Sequence, residues 1–182
     1  MLGSPDFGAI NLNGRLFAPP GLSSFSLREI STTDFSYLQT QFTLSGLSGA
    51  WSVLYEEGGT LYAKGTATNT VRAYSAAGTA NKTSDTSKEI IITNNHDRVK
   101  CMFGDADYFY FGRVGAISGS TYPLRFDAYS KTTRLRDTGG DFSLDINYRS
   151  SSTFWMGATI RDSIVFLPIG IQGRMIALVK AV

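Results

Sequence analysis

His96 is the one imidazole in the 182 residues, and it lies in Asn94-Asn95-His96-Asp97, a run of turn formers. Serine and cysteine hydrolases carry a proton on imidazole, so any such mechanism has to use it. The Gly-x-Ser-x-Gly elbow that would present a nucleophile is missing. Carboxylates are more plentiful. Glu29, Glu56, Glu57, Glu89, Asp127, Asp145 and Asp162 could supply the acid and base of glycoside hydrolysis, which needs two carboxyl groups about 5–10 Å apart. Glu56-Glu57 precedes a glycine pair and reads as solvated turn, while Asp127 and Asp145 interrupt apolar strands and are expected on the outward face. Asp105 and Asp107, in Gly-Asp-Ala-Asp, could offer oxygen ligands to calcium. Recognisable calcium loops carry more acidic or amide positions and a closing glutamate. Aspartate favours turns anyway, because its side chain bonds nearby backbone amides, and Asp137 and Asp141 read the same way. No enzyme, cofactor or metal is expected.

Arg125, Lys131, Arg134 and Arg136 form the densest basic stretch. With Tyr122 and Tyr129 it could follow a nucleic-acid strand, through charge on the backbone and rings on the bases. Asp127 and Asp137 interleave with it, and a solvated strand face accounts for it better, so no nucleic-acid partner is expected. Asn81-Lys82-Thr83 matches a glycosylation acceptor only by chance if the chain is not exported. Cys101, the one cysteine, rules out an intrachain disulfide and a cysteine zinc site. It falls in phase with Val99 and Phe103, so it should be a small buried hydrophobe.

A net charge of +2 is too small to demand an anionic partner. The first residues carry neither a basic segment nor an apolar core, so no export signal is expected. The longest apolar run, 164–171, is interrupted by Pro168 and Gly170 and is too short to span a bilayer, so no membrane insertion is expected. A hydrophobic content of 42% and an aromatic content of 13% suit a packed globular chain rich in rings.

The elements that must position these residues are strands. Trp51, Val53 and Tyr55 alternate with their neighbours, as do Val99, Cys101 and Phe103, and Phe142, Leu144, Ile146 and Tyr148. Strand side chains point to opposite faces with a period of two, so each run is one half-buried strand. Strands are expected near 25–30, 39–45, 50–56, 60–67, 69–75, 88–93, 98–103, 108–114, 121–129, 131–136, 142–148, 153–159, 163–167 and 174–181. One short helix is expected after Thr33-Asp34, a possible N-cap. The stretch 76–88 is polar and without period, which suits an exposed loop. The fold class is therefore all-β: an antiparallel sandwich, jelly-roll-like or barrel-like, as residues 24–182, preceded by an extended arm at 1–23 in which Pro and Gly bracket large apolar side chains. No repeat of fixed length is visible, which disfavours solenoids and propellers.

Apolar surface is the remaining signal. In Tyr108-Phe109-Tyr110-Phe111 both faces of one strand carry rings, and Phe109 and Phe111 can fill the core while Tyr108 and Tyr110 face outward or into a neighbour. Phe154-Trp155-Met156 and 164–179 are also apolar on both faces. Such strands are either central in a covered sheet or part of an interface, and self-association is the expectation drawn. The contacts should involve Phe7, Ile10, Leu12, Leu16 and Phe17 of the arm, with Ile169 and Ile171. In a second reading, Trp51, Tyr108, Tyr110 and Trp155 form a platform that stacks on glycans.

The Pro/Gly-punctuated arm from Gly3 to Gly21, the short Gly-rich hairpins and the apolar C-terminal strands resemble those of bacteriophage virion modules: head-decoration, tail and tail-fibre proteins. That resemblance implies a structural role in a symmetric assembly, located in the virion. Its partners would be copies of itself and other virion proteins, with a cell-surface glycan or receptor under the second reading.

Overall fold

The computed structural model describes residues 9–21, 24–93, 99–114, 121–147, 159–161, 164–169 and 174–179. The chain is all-β, antiparallel and sandwich-like, and divides into two compact units, Met1–Ile92 and Thr93–Val182.

The first unit holds two four-stranded sheets, each a meander of sequence neighbours. One is built from β1 (Ile10–Leu12), β2 (Arg15–Ala18), β3 (Ser26–Ile30) and β4 (Tyr37–Thr43). The other contains β5 (Trp51–Glu57), β6 (Thr60–Gly65), β7 (Thr70–Ser75) and β8 (Ile90–Ile91). The part of the expected arm that is described is not an extended arm. Leu12 pairs with Arg15 across Asn13-Gly14, whose φ values are 53° and 82°. Two consecutive left-handed residues make the two-residue turn whose twist matches that of a hairpin, and Asn-Gly adopts it at least cost. The hairpin then joins β3 through Leu16↔Ile30. Leu12 and Phe17 are buried with Leu27, Phe42, Trp51, Val53 and Leu61, and the Phe17 and Phe42 rings lie 5.3 Å apart.

The second unit contains a sheet in the order β12-β11-β10-β9, from β9 (Val99–Gly104), β10 (Tyr108–Val114), β11 (Thr121–Ser130) and β12 (Phe142–Asn147). A three-stranded sheet follows, made of β13 (Thr159–Arg161), β14 (Ile164–Ile169) and β15 (Arg174–Val179). Phe103, Phe109, Tyr110, Phe111, Phe126 and Tyr129 are all buried. β10 sits between β9 and β11 and is covered on both faces, which explains why rings occupy both.

Two expected elements differ. Residues 131–136 form a turn and a single bridge, Tyr129↔Arg136, and no strand. No helix follows Thr33. The Ser31 hydroxyl accepts from the amides of Thr33 and Asp34, the Asp34 carboxylate accepts from Ser36, and Phe35 takes φ 57°. Short polar side chains that satisfy the backbone locally compete with helix.

Two of the sheets share one closing motif, although no fixed period shows it. Ala73-Tyr74-Ser75 closes β7 and Ala128-Tyr129-Ser130 closes β11. The Ala73 carbonyl accepts the Asp85 amide at 2.7 Å and the Ala128 carbonyl accepts that of Asp137 at 2.9 Å. Each aspartate then caps a 3-10 turn, Thr86–Lys88 or Thr138–Gly140. The Tyr74 hydroxyl donates to Ser45 O at 2.6 Å, and the Tyr129 hydroxyl accepts from Thr93 N at 3.1 Å. Both partners lie on the segment leading into their sheet's first strand. The connections Ser75–Asp85 and Ser130–Asp137 differ in length, which shifts the phase and hides the likeness.

Candidate functional site

The carboxylates singled out in the sequence are, where described, held by structural partners. Asp127 is buried, not outward-facing: it is 3% exposed. Its two oxygens accept Arg113 Nε at 2.8 Å and an Arg113 terminal nitrogen at 3.1 Å, and Arg136 adds a third bond at 3.3 Å. Arg136 also donates to Asp141 at 2.6 Å, and the other oxygen of Asp141 takes the Ala128 amide. Two guanidinium groups offset the cost of burying one carboxylate, which isolated would be prohibitive. Glu29 pairs with Arg15 across neighbouring strands, and that bond holds its carboxyl below the ordinary range. Glu89 pairs with Arg72, Glu57 accepts the Tyr55 hydroxyl, and Glu56 accepts the Gly59 amide of its turn. The side chains of Asp145 and Asp162, and the whole of His96, lie outside the described residues.

The Asp105–Asp107 turn is built as a turn. One Asp105 oxygen accepts the amides of Asp107 and Tyr108, and the other accepts the Tyr110 hydroxyl at 2.8 Å. Among the described residues, no group of three or more histidine, cysteine, aspartate or glutamate side chains could hold a metal ion. Cys101 is buried and pairs across to Gly112, and burial pushes its thiol well above the ordinary range. A thiol that stays protonated is a poor nucleophile.

Two rings of the expected glycan platform, Trp51 and Tyr110, are interior. Trp51 is 3% exposed, with its indole N–H donating to Ser24 O at 2.9 Å. Tyr110 is fully buried, and its ring stacks on Phe103 at 5.2 Å. A ring with no open face cannot stack on a sugar, so the platform reading fails for these two. Tyr108 is half-buried and donates to Asp137 at 3.0 Å. Trp155 lies outside the described residues.

Of the residues expected at an interface, Leu12 and Phe17 face the first unit's own core, while Ile10 and Leu16 are half-buried on the same hairpin. Phe7 and Ile171 lie outside the described residues, and of Ile169 only the backbone, paired with Arg174, is described. Lys131, Arg134 and Arg136 of the basic stretch are likewise engaged inside their own unit. Lys131 Nζ and the Arg134 guanidinium both lie 5.0 Å from the Phe109 ring centre, and Arg136 serves the carboxylate network.

Two surface features emerge that the sequence did not single out. The first is an open depression of about 230 Å³, lined by Gly59, Thr60, Tyr74, Ser75, Thr83, Ser84, Asp85 and Lys88. Its walls are mostly hydroxyls with one carboxylate and one ammonium, more polar than the usual lining of a small-molecule site. The second is the set of large apolar side chains left exposed among the described residues: Phe35 at 63%, Leu38 at 38%, Ile91 at 59% and Leu135 at 69%. Phe35 and Leu135 sit on turns of one design. Ser31 N donates to Ser36 O and Phe35 N to Ser31 O; Ser130 N donates to Leu135 O and Arg134 N to Ser130 O. In each turn the serine hydroxyl accepts the amides two and three residues on. In each, the fifth residue is left-handed, Phe35 at 57° and Arg134 at 62°. The sequence signal was Ser-Thr-Thr-Asp beside Ser-Lys-Thr-Thr, legible as serine turns only once the strand ends are known.

No family model and no curated protein matches the chain. Two crystal structures of computationally designed proteins are similar to it. Ika8 has a TM-score of 0.45 at 9% identity over 94% of this chain, and the chain spans 57% of that protein's length. Ika4 has a TM-score of 0.37 at 9% identity, over 77% of this chain and 97% of its own. Similarity of that degree specifies neither fold nor function.

Proposed function

We propose that the chain is a non-enzymatic assembly module that works by surface contact with copies of itself and with other subunits. The observation that carries this reading is the projecting pair of turns. Bulky residues rarely adopt left-handed backbone, yet Phe35 does so while leaving most of its ring in water. Backbone strain held in place by a dense local bond network marks functional segments. The carboxylates, meanwhile, are engaged in holding turns and strands. A place in a phage virion, as decoration or tail subunit, follows from the resemblance in the sequence, and β-rich modules with contact surfaces suit it.

Light scattering of the purified chain over a hundredfold concentration range tests the reading. A multimer is expected, and a monomer throughout overturns it. Mass spectrometry of purified particles tests the virion placement separately.

A second reading, glycan binding, rests on the hydroxyl-lined depression beside Asp85 and Lys88, now that Trp51 and Tyr110 are interior. Chemical-shift changes at Thr60, Thr83 and Lys88 on titration with a sugar panel would support it, and their absence would remove it.

A further inference from the structure

We propose that the β3–β4 hairpin pairs with the same hairpin of a second copy about a two-fold axis, an inference that rests on the assembly reading. Four side chains along the hairpin carry it. Asp34 and Phe35 stand in the turn, and the Phe35 ring is 63% exposed on backbone at φ 57°. Leu38, 38% exposed, follows on β4. The Arg28 guanidinium lies beside it, with Nε donating to Leu38 O at 2.7 Å and Cζ 5.6 Å from the centre of the Tyr37 ring. Arg28 is two residues inside Ile30, which pairs with Tyr37 at the base of the turn. The basic group therefore starts about 7 Å back along the strand from the turn.

Neither charge is met by an opposite one within the chain. The Asp34 carboxylate accepts the amide and hydroxyl of Ser36, groups of its own turn that carry no charge. The terminal nitrogens of Arg28 donate to nothing among the described residues, and the neighbouring Glu29 is taken by Arg15. From the turn inward the order is acid, ring, leucine, base. A two-fold that lays two hairpins side by side with their turns at opposite ends reverses that order in the second copy. Asp34 then meets Arg28 of the second copy, Phe35 meets its Leu38, and each contact recurs with the roles exchanged. Such a surface is isologous, so it closes at two copies. Opposite charges at both ends of an apolar centre fix the register and select this partner. With Nε already tied, Arg28 keeps two terminal nitrogens in one plane, the geometry that grips a carboxylate. The similar turn at Leu135 offers no such match, because Arg134 stacks on Phe109 and Arg136 bonds Asp127 and Asp141. The bonds within the Ser31 turn fix Phe35 before contact, so little ordering remains to oppose docking. A contact of hairpin on hairpin is small, which places the dimer among weak, reversible ones.

The test uses the full chain, with light scattering at low salt over a hundredfold concentration range. A dimer that dissociates on dilution is expected. Phe35→Gly removes the ring while suiting the left-handed backbone, since glycine adopts it freely; the fold should be kept and association weakened at least tenfold. Arg28→Gln, which retains a donor for Leu38 O, should weaken it about as much. Asp34→Arg and Arg28→Glu should each lose the contact, because each sets like charges together at both ends. A one-to-one mixture of those two should form a heterodimer: the introduced arginine of one meets the introduced glutamate of the other, and the unaltered Asp34 meets the unaltered Arg28. A wild-type multimer indifferent to Phe35→Gly, Arg28→Gln and Asp34→Arg overturns this contact and leaves the assembly reading standing, as does a mixture of two folded variants that stays monomeric. A wild-type monomer at every concentration overturns both.

Discussion

Replacing Asp127 by Asn changes one charge and almost no volume, at a carboxylate that is 3% exposed and bonded to two guanidinium groups. The Arg113 and Arg136 side chains are 17% and 22% exposed. Losing the anion leaves Arg113 facing an amide, while Arg136 keeps its bond to Asp141. Breaking a buried pair by removing one partner costs about 3–5 kcal/mol, and the partial exposure of the arginines places this case near about 3 kcal/mol. The free energy of local opening should fall by that amount in the second unit alone. Hydrogen exchange read by mass spectrometry separates the units: the slowest amides of β10 and β11 should exchange roughly a hundredfold faster, at one decade per about 1.4 kcal/mol. Amides of β5 and β6 should not change. Arg113→Gln combined with Asp127→Asn should cost less than the two single changes summed, because each removes the same bidentate bond. Acceleration of less than about tenfold in β10 and β11 would show that the arginines find water or other partners, and that the network is not what holds these strands.

Three further outcomes follow from the same geometry. Tyr74→Phe strips the donor from Ser45 O, and Tyr129→Phe strips the acceptor from Thr93 N; each should cost about 1–3 kcal/mol in urea unfolding, as a buried group left unbonded does, and equal stability would refute the shared role of the two hydroxyls. Cys101 should resist iodoacetamide in the native chain and react once urea unfolds it, because burial pushes its thiol up; rapid native labelling would mean that β9 opens easily. The carboxyls of Glu29, Asp34 and Asp85 are lowered by bonds from Arg15, Ser31 and Ser87 respectively. A depressed folded value means the stabilisation is fully present above the unfolded value near about 4 and is lost as pH falls through the folded value; carbon-detected titration should therefore place all three midpoints below those of the unfolded peptides.

Much of the fold was legible because strand alternation is a local property. The runs near 50–56, 69–75, 98–103 and 108–114 fall within a residue or two of β5, β7, β9 and β10. What escaped depended on partners distant in the chain. Asn13-Gly14 is a strong hairpin signal, yet the neighbouring prolines and glycines made the segment look like an arm; only pairing with β3 turns it into sheet. Arg134 and Leu135 alternate as a strand would, but the Ser130 hydroxyl and a left-handed Arg134 bend the chain instead. Asp127 looked solvent-facing because charge on a strand usually is, and its two arginine partners come from β10 and from the turn after β11. Alternation puts Tyr110 on the face opposite Phe111, outward or into a neighbour, and both are buried, since period two cannot say whether a sheet is covered once or twice. The candidate contact surface escaped for a different reason: exposure is a property of the finished packing, and no local pattern separates Phe35 from Phe42.

The two tyrosine-closed strands differ in the sign of one charge. Arg72, just before Ala73, meets Glu89 after the 3-10 turn, whereas Asp127, just before Ala128, meets Arg136. Consecutive modules of one design invite the wrong strand to enter the right place during folding, the characteristic failure of tandem architectures. Here a trespassing β11 would carry its carboxylate toward Glu89, whereas a trespassing β7 would still find Asp141 beside Arg136. Charge thus works as a one-way latch, closing the earlier seat to the later strand more firmly than the reverse.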